Sequence, residues 1–471
     1  MSAAIKAMQS RIQHIHFIGI GGVGMGGIAE VLINLGYQIS GSDIADNPLI
    51  SRLRTLGANI TIGHTAEQVA GADVVVVSAA IQTDNIELNA AKSQRIPIIP
   101  RAEMLAELMR FSYGIAVSGT HGKTTTTSLV TALLSEGNLD PTFVIGGKLN
   151  SVSSNAQLGS GHYMVAEADE SDASFLYLQP VVAVVTNIDM DHMATYDMQF
   201  DKLTDTFITF LHHIPFYGLA VLCIDDPVIR SLLTRITKPV TTYGFSEDAD
   251  YRLTDLRQEK GISHFKIINQ KTGKQAEICL NLPGEHNVLN AAAAIVVARH
   301  LSVPLADCKR GLEKFAGIAR RFHIRGELTV AKGQALLIDD YAHHPTEMTA
   351  TIQATKENWP NRRIVLVFQP HRYTRTRDLF DDFVEVLASV DELLILPVYC
   401  AGEVLITGAD SKSLCRAIRQ RGMSPIHIAD KAQLAELLLP ILEEDDVVLT
   451  MGAGDIAQLS KQLIDDEGTV R

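Results

Sequence analysis

Short apolar runs bounded by glycine and polar residues alternate along the chain with stretches of helical period. Runs that are apolar at successive positions read as strands buried on both faces, the pattern of parallel sheets covered by helices. The predicted class is α/β. Three series separate. The first holds strands at 15–20, 37–42 and 73–78 and fades after a helix around 103–109. The second begins at 114–118, includes 163–168 and 181–187, and ends after an Ala-rich helix at 288–300 and a short one near Lys314. Inside it, the alternation between Thr241 and Leu282, with a turn at Lys271 to Gly273, reads as an antiparallel excursion. The third opens with alternating residues at 325–337 and continues through strands at 364–369, 392–397 and 446–450, each running into a loop rich in Gly, His or Arg. The predicted domains are 1–112, 113–317 and 318–471.

Length agrees with this division, because 471 residues suffice for about three domains. Hydrophobic residues at 46% and charged residues at 20% exclude disordered, collagen-like and disulfide-stapled classes. Charge narrows the partners. Fifty-four Asp and Glu against 41 Lys and Arg leave a net charge of -13, which repels nucleic-acid backbones and anionic lipid. Small phosphorylated ligands stay open, since local groups hold them. The five cysteines, Cys223, Cys279, Cys308, Cys400 and Cys415, include no C-x-x-C pair, which fits a reducing cytoplasm. With no signal-peptide pattern and no apolar run near the roughly 18 residues of a membrane span, a cytoplasmic protein without membrane insertion is expected.

Chemistry concentrates at strand ends. After the first strand, Gly19, Gly21 and Gly24 satisfy G-x-G-x-x-G, and the second strand ends in Ser42-Asp43, where an acid can accept a ribose hydroxyl. Missing Cβ atoms there let backbone N–H groups approach a diphosphate; the bland alternative is a tight turn and nothing more. NAD, FAD and nucleotide sugars all present that anion.

After the strand at 115–118 comes Gly119-Thr120-His121-Gly122-Lys123-Thr124-Thr125, opening a helix. A glycine-rich turn supplies N–H donors, Lys123 a point charge for the outer phosphates and Thr124 a hydroxyl for Mg2+. This reads as a triphosphate site, although Val117 stands where a strict Walker A motif has glycine. Two further strands end in Glu167-Ala168-Asp169-Glu170-Ser171-Asp172 and Asn187-Ile188-Asp189-Met190-Asp191-His192, whose carboxylates converge on the same sheet edge. Part of such an acidic run is a solvated turn rather than a ligand set.

A third cluster, Pro283 to Asn290, carries His286, Asn287 and Asn290, with Asn287 also placed to cap the helix. In the last domain Arg320, Arg321, His323 and Arg325 share one loop, Asp339 to Pro345 follows a strand, and His371 to Arg377 follows another. Arginines at strand ends of an acidic protein form a local receptor for carboxylate or phosphate. A diphosphate loop, a separate ATP site and an anion receptor together suggest two substrates joined at the expense of ATP.

Residues 119–125, 167–172, 187–192, 284–290, 340–345 and 371–377, in this order over nearly the whole chain, resemble the Mur ligases of peptidoglycan synthesis. Within that family, 19–27, 340–347 and 371–377 are similar to the branch that adds L-alanine to UDP-N-acetylmuramate. The resemblance implies three domains: a Rossmann-like one for the UDP-sugar, a central P-loop-type one for ATP, and a Rossmann-like one for the amino acid. It implies a lactyl carboxylate attacking the γ-phosphate of ATP to give an acyl phosphate, which the amine of L-alanine then opens. Carried onto this chain, Lys123, Glu167 and His192 take catalytic positions, and Thr124, Glu167 and His192 the Mg2+ positions. Gly119 to Thr125, His286, Asn287, Asn290, Arg321 and Asp340 take ATP positions. The UDP-sugar falls to Gly21, Gly22, Val23, Gly24, Ser42, Asp43, Ser78 and Arg101, and the amino acid to Tyr341, His343, Arg372 and Arg375.

One departure stands out. Where sister ligases place a carbamylated lysine about fifteen residues beyond the histidine matching His192, this chain has Phe207, so no carbamylated lysine is expected. The competing readings are a ligase recycling murein tripeptide onto UDP-N-acetylmuramate, an NAD-dependent oxidoreductase built on the 19–24 loop, and a nucleotide-hydrolysing switch. The oxidoreductase leaves 119–125 and 372–377 without a purpose, and the switch leaves the third domain without one.

Overall fold

A computed structural model of the chain describes residues 11–149, 154–331 and 333–465, and among these the apolar runs assemble into three sheets. The first contains β1 (His14–Ile18), β2 (Gln38–Asp43), β3 (Asn59–Ile62), β4 (Val74–Val77) and β5 (Ile98–Pro100). Its order is β3-β2-β1-β4-β5 and every pairing is parallel. Connections leave β1 toward both edges, so the glycine loop after it lies at the topological switch point, where doubly wound sheets bind ligands.

The second sheet runs through β6 (Tyr113–Ser118), β7 (Thr142–Leu149), β8 (Ser154–Gln157), β9 (Tyr163–Glu167), β10 (Val182–Val185), β11 (Leu219–Cys223), β12 (Val240–Gly244), β13 (Tyr251–Glu259), β14 (Ile262–Asn269) and β15 (Gln275–Leu280). Its order is β15-β14-β13-β12-β11-β10-β6-β9-β7-β8. Ile115–Val117, Met164–Ala166 and Val182–Val184 are all but fully buried, the continuous apolar run that a doubly covered parallel strand requires. The excursion expected after Thr241 is antiparallel only in part. β12 pairs parallel with β11, and β13 briefly parallel with β12. Reversal comes at Lys260-Gly261, where φ of 51° and 85° make the two-residue turn that joins hairpin strands. Period-2 alternation reports a half-exposed face and carries no information on strand direction, which is why the pattern misled.

The third sheet holds β16 (His323–Val330), β17 (Gly333–Asp340), β18 (Ile364–Phe368), β19 (Glu392–Ile395), β20 (Ile426–His427) and β21 (Val447–Met451), ordered β16-β17-β21-β18-β19-β20. The alternating stretch at 325–337 is the β16–β17 hairpin, the antiparallel pair of this sheet. Successive residues of β18 feed opposite layers: Ile364, Leu366 and Phe368 join one apolar cluster, Val365 and Val367 the other.

Two compact units result. One holds the chain to Asp255 with Phe265–Ile278 and Leu289–Phe315; the other holds Leu256–His264, Cys279–Val288 and everything from Ala316. The first sheet and most of the second therefore cohere. Helix Val23–Asn34 lies against β7 and β8, Asn155 donates to the carbonyl of Val23 at 2.8 Å, and a Cβ on Gly27 would press Ala156 and Asn155 at 3.1 Å. In the second unit, Gly261 N–H donates to Asn358 Oδ1 at 2.8 Å, and Gln258 Oε1 accepts from Asn358 at 3.1 Å. Among the described residues no helix is long and apolar enough to cross a membrane.

Candidate active site

Register places the loops of the central strands together. Val117 lies opposite Glu167 and Ser118 opposite Val185, so β6, β9 and β10 end along one edge. At Gly119 φ is 124° and a Cβ would stand 2.2 Å from Thr186 Oγ1, which leaves glycine alone able to make the turn. The loop is then stitched to its neighbour. Thr186 Oγ1 and Asn187 Nδ2 donate to the His121 carbonyl at 2.6 and 3.0 Å, His121 N–H donates to Asn187 Oδ1 at 2.8 Å, and Asp189 N–H to Thr120 Oγ1 at 2.8 Å. Gly122, at φ 84°, starts helix Lys123–Glu136 without a side-chain cap. The first-turn N–H groups of Lys123, Thr124 and Thr125 consequently have no acceptor within the helix and form its positive end.

Lys123 lies across this loop. Its Nζ donates to the carbonyls of Gly119 and Thr120 at 2.7 and 3.0 Å and to Glu170 Oε1 at 2.9 Å. Burial opposes its charge, but Glu170, Asp169 and Glu167 outweigh that and raise its pKa. Burial also opposes the charge of Asp169, yet Lys123 and the Ser171 N–H hold its carboxyl below the usual range. For Glu170 burial pushes the carboxyl up, and the Lys123 ammonium, in contact with both oxygens, opposes this and favours the ionised pair. Glu167 accepts from Gly146 N–H at 2.7 Å, Thr124 is buried, and His192, left-handed at φ 54°, heads the turn after β10. A hydroxyl and a carboxylate, both hard oxygen donors, beside a lysine and an uncapped helix end suit a phosphate chain carrying a divalent cation. In this unit Asn290 Oδ1 accepts from Thr126 at 3.0 Å.

The loop after β1 is held from below. Asp43 Oδ2 accepts from Gly21 N–H at 2.8 Å and Asn47 donates to the Gly21 carbonyl at 3.1 Å. Ser42 is fully buried, and its hydroxyl meets His64 Nδ1 at 3.0 Å. Asp43 and Ser42 thus brace the loop, while Gly22, Val23 and Gly24 face outward beside Arg101, whose guanidinium a Gly24 Cβ would meet at 3.0 Å. Ser78 lies against Gly19. Beneath them sits a network that sequence reasoning missed: buried Glu87 binds His16 and His64, each at 2.6 Å, and His16 binds Ser40 at 2.8 Å.

In the second unit Arg320 and Arg321 flank the Tyr341 ring at 4.8 and 5.0 Å. The carboxylate of Asp340 accepts from the N–H groups of Phe322 and Ala342, both at 2.7 Å, and burial raises its pKa to about 6 against the pull of Arg321. It shapes the loop that presents Tyr341 and His343. His343 makes edge contacts with Tyr341 and His371, and His371 stacks on Tyr399 at 5.6 Å. Burial lowers the pKa of His343 to about 4 and of His371 to about 3, and Arg375 pushes both further down. Both rings are neutral at pH 7. Arg372, at φ 69°, begins helix Tyr373–Asp378, on which Arg375 lies. His371, from the 371–377 motif, and Tyr399, which no local sequence signal marks, extend the aromatic cluster begun by Tyr341 and His343. Asn287 does not cap its helix; it lies inside Glu285–His300 and donates to the Pro283 carbonyl at 2.7 Å. Burial keeps neighbouring His286 neutral, with a pKa near 4.

Three family models match the chain in succession: the Mur ligase family, catalytic domain, at residues 14–113; the Mur ligase middle domain at 117–298; and the Mur ligase, glutamate ligase domain at 320–454. Among solved structures it is similar to a UDP-N-acetylmuramate-alanine ligase from Thermotoga maritima at 29% identity, covering 98% of this chain and 100% of that one with a TM-score of 0.83. A murein peptide ligase from Psychrobacter arcticus shares the fold at 22% identity, coverages of 98% and 99%, and a TM-score of 0.71. A UDP-N-acetylmuramate:L-alanyl-gamma-D-glutamyl-meso-diaminopimelate ligase from Neisseria meningitides aligns with 66% of this chain and 100% of its own, at 28% identity and a TM-score of 0.60.

Proposed function

The chain belongs to the Mur ligase family of ATP-dependent amide-bond ligases, and from that premise we propose that it joins L-alanine to the lactyl carboxylate of UDP-N-acetylmuramate, giving ADP and phosphate. The observation that carries the alanine assignment is the full-length likeness to the Thermotoga maritima ligase. The cluster of Tyr341, His343, His371 and Tyr399 supports it, its ring surfaces suiting a methyl side chain, with Arg372 and Arg375 at the head of and on the adjoining helix for the carboxylate.

In this reading residues 1–112 hold the UDP-sugar, with Gly21 to Gly24 and Arg101 on the diphosphate and Ser42, Asp43 and Ser78 shaping the loop. Residues 113–317 hold ATP through Gly119 to Thr125, His286, Asn287 and Asn290, and 318–471 hold the amino acid, with Arg321 and Asp340 reaching the nucleotide. Thr124, Glu167 and His192 would hold Mg2+, which when bound would supply charge neutralisation for the phosphate chain. Lys123 and the first-turn N–H groups stabilise the negative charge that builds there. The substrate carboxylate bonds to the γ-phosphorus as ADP leaves. The alanine amine then bonds to the acyl carbon, loses its proton, and phosphate departs. The neutral imidazoles of His343 and His371 add no positive charge that would repel the incoming amine.

Murein peptide ligases match along the same chain, so the amine donor is the point to test. Phosphate release that requires ATP, UDP-N-acetylmuramate and free L-alanine together is expected. Release only when a murein tripeptide replaces L-alanine would assign the recycling activity instead.

A further inference from the structure

Glu170 is 2% exposed and faces Lys123 with both carboxylate oxygens, at 2.9 and 2.8 Å. Its own backbone is pinned. The Tyr196 hydroxyl and the Ala173 N–H both donate to the Glu170 carbonyl, and Thr195 donates to the Ser171 carbonyl at 2.6 Å. The remaining bonds of Lys123 Nζ go to the two loop carbonyls, so the ammonium is held against its own loop with Glu170 as the ionic partner. A carboxylate in that position has no place among the phosphate-binding groups, because it repels the anion the loop is built to receive.

We propose that Glu170 is a positioning residue that stands in for phosphate: it neutralises and orients Lys123 in the nucleotide-free enzyme with both carboxylate oxygens, and incoming phosphate oxygens take over one of those two contacts while the other keeps the ammonium in line. The inference uses the assignment of 119–125 to ATP and is independent of which amine is joined. Its signature is a split between binding and turnover. In Glu170→Gln the unneutralised lysine binds anion more tightly, so the dissociation constant for ADP, measured by calorimetry, falls about fivefold. Turnover falls about tenfold because Lys123 is no longer held in line. Glu170→Asp keeps the charge, so ADP affinity stays within about twofold of wild type while turnover is intermediate.

ADP binding unchanged or weakened in Glu170→Gln overturns the role of Glu170. Failure of the wild type to bind ADP overturns the assignment of the loop itself. If the Gln variant does not fold, the Asp variant decides: unaltered ADP affinity with reduced turnover upholds the proposal, and wild-type turnover sinks it.

Discussion

At the scale of single residues, two positions in the phosphate loop separate chemistry from geometry. Lys123→Ala removes the loop's cation and leaves the buried Glu170 without its partner; turnover is expected to fall at least a thousandfold, while far-ultraviolet dichroism stays that of the wild type. Gly119→Ala acts without touching any charge, since its methyl needs the space of Thr186 Oγ1 at a φ that alanine resists. ADP binding should weaken about a hundredfold in calorimetry, with a loss of about 2 kcal/mol in stability. Glu87 carries a different cost. Burial raises its pKa, but His16, Ser42 and His64 outweigh this and set it below the ordinary glutamate value. A depressed folded pKa stabilises above the unfolded pKa, and that gain is lost as pH falls through the folded one. Glu87→Gln is therefore expected to lower stability by about 3 kcal/mol at pH 7, and thermal melts of the two proteins should converge as pH drops below the ordinary glutamate range. The glycines and Lys123 were readable because their spacing is local. The partners of Lys123 and Glu87 were not, since His16 and Glu87 are 71 residues apart and meet only once the first sheet has formed.

At the scale of elements, the apolar runs predicted the strands and the loops between them, because burial on both faces leaves so plain a mark. Helix Phe200–His212 shows how an element bears on a chemical question. Phe207 is on its buried face, edge-on to Phe175 at a centroid distance of 5.2 Å, and Lys202 is turned outward to Asp197 at 2.6 Å. Intact mass in bicarbonate is therefore expected to show no adduct of about 43 Da on a lysine. The direction of β12 and the packing of helix Val23–Asn34 on β7 and β8 escaped the sequence. Hydrophobic period reports which face is covered and is silent on what covers it.

At the scale of the molecule, the proposed function asks a chain with net charge -13 to gather anionic substrates, a task for loops where lysine, arginine and helix ends outweigh the global field. Substrates held on separate domains must meet for reaction. Small-angle scattering should accordingly show a smaller radius of gyration with a nonhydrolysable ATP analogue, and an unchanged profile would count against closure of the third domain. Division of the chain at Phe315 also has a practical meaning. Segments Leu256–His264 and Cys279–Val288 belong physically with the part that begins at Ala316, with Asn358 tied to Gln258 and Gly261. A fragment expressed from residue 316 onward would surrender those anchors, so a chimera that exchanges the amino-acid domain between ligases must carry the hairpin tip and the segment before Leu289 with it. On the proposed assignment of the amino acid to this unit, the heritable unit of specificity is discontinuous in the gene, and a single crossover cannot transplant it.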